Sequence, residues 1–157
     1  MNFNFISPAH PLAGFVERLW HLNDAPPHFQ ERIVPSGTME LVVNLHEDEL
    51  PIYDASRTDH CKRFSGAVVC GAYGKPFVID TREHVSVMGV HFKPGGAFPF
   101  LVPAASELAD SHVDLDRSGE LRPLSFVNGF ALPPRLRRDF GCWRIRSPPT
   151  CSARWSI

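Results

Sequence analysis

Short apolar segments separated by turn residues run through the chain from Leu12 onward, and few are long enough for a helix. Leu12, Phe15, Val16, Leu19 and Trp20 stand at helical spacing, yet Trp20-His21-Leu22 also fits a strand; a short turn running into a strand satisfies both. Pro26-Pro27 marks a loop. Residues 31–34 predict a short strand closed by the turn sequence Pro35-Ser36-Gly37, and residues 38–45 a stronger one. On the latter, Met39, Leu41, Val43 and Leu45 face one way, and Glu40, Val42 and Asn44 the other. Residues 46–63 are polar and aperiodic, which predicts an exposed excursion. Residues 64–72, 76–80 and 85–93 are rich in Val and Phe and predict three more strands.

Pro94-Gly95-Gly96 ends the last of these as a structural turn. Pro94 suits the first central position, and Gly95 the second, where φ must be positive. Residues 97–101 and 104–110 predict short helices, with Pro103 near the start of the second. The fold class that follows is mainly β, a small β-barrel or sandwich with short C-terminal helices. No repeat of 20–50 residues is visible.

Composition changes this picture in one respect. A chain of 157 residues suits one domain with a real core better than two. There is no leader-like start and no apolar run long enough to span a membrane, and four scattered cysteines (Cys61, Cys70, Cys142, Cys151) form no CxxC pair. The expectation is a cytoplasmic protein without a membrane role. The net charge of −1 hides a split: residues 1–116 carry 8 Lys+Arg against 15 Asp+Glu, a balance of −7, whereas residues 117–157 carry eight arginines against two acids.

The residues then resemble a known family. Arg32-Ile-Val-Pro-Ser-Gly-Thr-Met-Glu-Leu-Val-Val-Asn-Leu45 is similar to the "PdG…eLvfnl" element of one group of AraC-type bacterial transcription regulators. Gly89-Val-His-Phe-Lys-Pro-Gly-Gly-Ala97 resembles their "GvrFrPGGa" element and is the most specific part. Pro11-Leu12 through Trp20, Gly71 and His112-Val-Asp-Leu115 fall in matching order, so the resemblance covers residues 8–116. It implies an N-terminal, cupin-like barrel that senses a small-molecule effector or mediates formation of a homodimer. In that family a domain with two helix-turn-helix motifs follows; this chain holds no such stretch, so no sequence-specific DNA binding is expected of it.

Residues 117–157 read in two ways. One is a basic, poorly ordered tail rich in Pro and Arg. The other is a shifted reading frame. Codons for Phe, Cys and Trp, and most Ser codons, begin with T, and the shift makes that T the middle base of an apolar codon. Phe140, Trp143, Ser147, Cys151 and Trp155 then form the stripe of an amphipathic helix. On that second reading the chain is the inactive product of a frameshifted gene.

Chemical constellations are sparse. His46, beside Glu47-Asp48-Glu49, together with His84 and His91, lacks the paired-His spacing of a metal-binding cupin; no metal and no cofactor are expected. Cys70 in Val68-Val-Cys-Gly71 reads as a core residue, not a nucleophile. The barrel interior is the default ligand pocket, with Trp20, Glu40, Asn44 and His91 as its candidate ligand-binding residues. The favoured reading is a non-enzymatic sensor domain; the alternative is a small cupin metal enzyme.

Overall fold

The strands are built from the alternating segments, and all of their pairings are antiparallel. A computed structural model describes residues 2–24, 30–83, 85–101 and 104–115. The Pro26-Pro27 loop, His84, Pro103 and all of residues 117–157 lie outside the described residues. Among the described residues ten strands form two sheets. In chain order they are β1 (Asn2–Ile6), β2 (Val16–Asn23), β3 (Gln30–Ile33), β4 (Glu40–Asn44), β5 (Glu49–Asp54), β6 (Cys61–Ser65), β7 (Ala67–Cys70), β8 (Phe77–Asp80), β9 (Ser86–Phe92) and β10 (His112–Asp114). The larger sheet runs β1-β2-β9-β4-β7-β10 and the smaller β3-β8-β5-β6. The mainly β class is what the pattern predicts.

One part of the core lies between the sheets. Leu50, Ile52 and Phe64 of the smaller sheet pack on Val42, Val68 and Cys70 of the larger. Strand alternation therefore turns Glu40, Val42 and Asn44 inward, and Leu41 and Val43 to the opposite side with Leu19, Met88 and Val90. That side is also covered. Phe92 packs on Phe100 with ring centroids 5.7 Å apart, and Ala97, Leu101, Leu108 and Leu115 are buried.

Four expectations are corrected. Residues 46–63 are not one excursion: they hold β5 and the start of β6, with Leu50 and Pro51 fully buried. Pro51 pairs with Arg63 of β6, whereas the β5–β8 ladder begins only at Ile52, so the proline interrupts no pairing on the β8 side. Residues 64–72 are not one strand: the chain changes sheets at Gly66, whose carbonyl accepts from Asn44 N at 2.7 Å. The helices expected over 97–101 and 104–110 are single turns, closed by Phe100 N to Ala97 O at 2.9 Å and Glu107 N to Ala104 O at 2.9 Å. Pro99 cannot donate to a helical ladder, and five to seven residues seldom sustain one. β1 was not foreseen; it pairs along the outer edge of β2.

The turn after β9 forms as its sequence predicts. Gly96 N donates to Lys93 O at 2.7 Å, and Gly95 has φ +73°. A Cβ at residue 95 would meet nothing within 4 Å, so a substitution there is penalised by backbone strain alone. Gly95→Ala is expected to cost about 1–2 kcal/mol, and Gly95→Asn less, because Asn tolerates that conformation. Urea unfolding of the two variants checks this; equal losses would mean that φ is not the cause.

Candidate ligand-binding site

Register brings sequence-distant polar groups into one line. Arg18 pairs with His91, His91 with Glu40, Glu40 with Cys70, and Cys70 with His112. These five residues cross neighbouring strands β2, β9, β4, β7 and β10 on the face that meets the smaller sheet. A register shift between Val16 and Arg18 leaves Glu17 out of the ladder. Its carboxylate consequently reaches both Arg18, at 2.9 Å, and His91 Nε2, at 3.4 Å.

Two of the four anticipated residues meet directly. His91 Nδ1 is hydrogen-bonded to Glu40 Oε1, and His91 Nε2 faces Thr38 Oγ1 at 3.0 Å. Both ring nitrogens are thus engaged within the fold. Trp20 stands one register step away, opposite Gly89. Its indole lies across that glycine: a Cβ at residue 89 would come within 2.3 Å of indole Cε2. Phe3 stacks on the ring at 6.1 Å.

Asn44 is not brought to this group. Its Nδ2 donates to Glu49 O at 3.0 Å, and its Oδ1 accepts from His46 N at 3.0 Å and Glu47 N at 3.1 Å. These bonds hold the connection from β4 to β5. Buried and saturated by backbone groups, it is a fastening of the loop.

The other end of the polar line opens on a cleft of about 620 Å³. Its apolar wall comes from β5, β6, β8 and the residues before β8: Ile52, Phe64, Tyr73 and Phe77, with His112 from β10. The rings form a cluster, with centroids 4.9 Å apart for Tyr73–Phe77 and 4.7 Å for Phe77–His112. Tyr73 and Phe77 are half-buried and so leave ring surface on the wall, whereas Phe64 and His112 are buried.

Burial sets the protonation of this end. His112 is pushed down to about 4, mainly by desolvation, with the Lys62 charge adding to it. Desolvation raises the Tyr73 phenol, helped by Cys70 and Asp110. Both rings are therefore neutral at pH 7. Tyr73 Oη is hydrogen-bonded to His112 Nδ1. His112 Nε2 is buried and has no hydrogen-bond partner among the described residues. Cys70 is a buried thiol pushed up by desolvation and then by Glu40, the opposite of an activated nucleophile.

Sequence reasoning missed the cleft, although His112 was visible as part of a closing family element. Its partners Tyr73 and Phe77 precede and open β8, and their convergence depends on which strands pair. Among the described residues, no group of three His, Cys, Asp or Glu side chains could hold a metal ion. Cys61 is exposed and Cys70 buried, both as free thiols. No helix among the described residues is long and apolar enough to cross a membrane.

Comparison with known proteins gives one match. A family described as a domain of unknown function, DUF6597, matches residues 4–114, a span running from β1 to β10. No curated protein and no solved structure matches the chain. With most of its length inside that family's bounds, the chain belongs to the DUF6597 domain family.

Proposed function

We propose that this domain is a non-enzymatic, effector-sensing module of an AraC-type transcription regulator, with a cupin-like arrangement of its two sheets. The observation that carries the reading is the cleft of about 620 Å³ at one end of the interior polar line. Its size falls within the range of small-molecule pockets, roughly 300–1,000 Å³. It joins an apolar ring wall to a few polar groups, the combination that binds a compact organic ligand and fixes its orientation. The motifs around Arg32–Leu45 and Gly89–Ala97 supply the regulator context by resemblance. The chemistry also favours binding over catalysis: the Cys70 thiol is held protonated, and His91 is engaged at both nitrogens. A homodimer and a cytoplasmic location belong to the same proposal.

Blocking the cleft tests it. Ala55 lines the cleft and is half-buried, so Ala55→Trp fills the space without removing a core side chain. A thermal-shift screen of the full chain against a library of small metabolites is expected to yield ligands whose stabilisation disappears in Ala55→Trp. Ligands that stabilise both proteins equally, or a screen without any cleft-dependent ligand, would overturn the sensor reading.

A further inference from the structure

The cleft concentrates positive charge in a domain that is otherwise acidic. Residues 1–116 hold eight Lys and Arg and fifteen Asp and Glu. Four of the eight cations, Arg32, Arg57, Lys62 and Lys75, line the cleft, against two of the fifteen acids, Asp54 and Asp110. A net charge of −7 over these residues thus gives way locally to an excess of cations.

Pairing sharpens the contrast. Among the described residues each arginine outside the cleft has a carboxylate: Arg18 with Glu17 at 2.9 Å, Arg63 with Glu49 at 2.7 Å, and Arg82 with Asp80 at 2.5 Å. Among the described residues none of the four cleft cations lies within salt-bridge distance of a carboxylate, and only Arg57 acts electrostatically on a cleft acid, Asp54. Arg32 donates to the Ala55 carbonyl, and Lys62 sits over the Phe64 ring at 4.6 Å. Both cleft acids are committed to the backbone. Asp54 Oδ1 accepts from Ser56 N at 2.7 Å, and Asp110 Oδ1 from Gly74 N at 2.7 Å.

Beside these cations stand the half-buried rings of Tyr73 and Phe77. A flat ring stacks on such a wall, and a negative group on the same molecule then meets the cations across the cleft. We infer that the cleft binds a small organic anion, a carboxylate or phosphate joined to a flat unsaturated ring. This inference rests on the small-molecule reading above and adds the chemical class of the ligand.

The test uses the full chain and four probes: 2-naphthoate, its neutral counterpart 2-naphthylmethanol, cyclohexanecarboxylate and inorganic phosphate. Titration calorimetry is expected to rank 2-naphthoate first, at least tenfold tighter than the neutral alcohol, the saturated acid and phosphate. Added salt should weaken 2-naphthoate and leave the alcohol unchanged. The double variant Arg57→Glu, Lys75→Glu changes exposed residues outside the core, and is expected to weaken 2-naphthoate by tenfold or more while keeping the wild-type melting temperature. Phosphate binding as tightly as 2-naphthoate would remove the ring from the inference. An alcohol bound as well as the acid, a double variant without effect, or no binding of either acid would overturn the anion class. The sensor reading is judged separately: neutral library ligands lost in Ala55→Trp would sustain it when the anion class fails.

Discussion

Phe64→Ala is expected to lower the free energy of unfolding by about 3–5 kcal/mol, the range for deleting a buried aromatic side chain. Phe64 belongs to β6 of the smaller sheet, yet its ring is buried against Val68 and Cys70 of the larger one and lies 5.6 Å from the His112 ring. Its loss opens a void where the sheets meet, and neighbours anchored in two ladders cannot collapse into it. Small domains hold only about 5–15 kcal/mol in total, so the variant would retain a fraction of that reserve. Urea unfolding measures the loss directly. A change below about 1 kcal/mol would place the core elsewhere than between the sheets.

Acid is expected to weaken the fold through His112. Its folded pKa, about 4, lies below the ordinary histidine value of 6.5. The unfolded chain therefore binds the proton first as pH falls. Stability is whole above pH 6.5, declines between 6.5 and 4, and levels off below 4. The two values differ by an amount worth about 3 kcal/mol. His112→Phe keeps a ring in the cluster and removes the titration. Between pH 7 and pH 4 the wild-type chain should lose about 3 kcal/mol more than the variant in urea unfolding, the carboxylates common to both cancelling. Parallel pH profiles for the two proteins would show that His112 takes up its proton without penalty in the folded state.

Local pattern made some of this legible from the chain. Richness in Val and Phe found β9, a turn running into a strand found β2, the demands of φ found the turn at Gly95, and alternation found β4. It also put Glu40 and Asn44 on one side of β4, but parity alone cannot tell a ligand-facing amide from one spent on the backbone of residues 46 and 47. What failed was what depends on partners. Leu50-Pro51-Ile52 is too short and too proline-broken to announce a strand, and it becomes one because β6 and β8 lie on either side. Gly66 looks like any strand glycine until the chain is seen to leave one sheet for the other there. The cleft draws on Arg32 and on three stretches, 52–64, 73–77 and 110–112, which no local signal connects.

Strand β9 sits between β2 and β4, and this governs the order in which a growing chain can fold. By the time Asp80 has been synthesised, β3, β8, β5 and β6 all exist and the smaller sheet has every strand it needs. The larger sheet exists then only as two separate pieces, β1 with β2 and β4 with β7. Seven residues, Ser86 to Phe92, join them in a single step, pairing Trp20 with Gly89 and Glu40 with His91. A nascent chain halted before Ser86 would leave the inner edges of both pieces bare, and those edges can pair with other chains as readily as with β9.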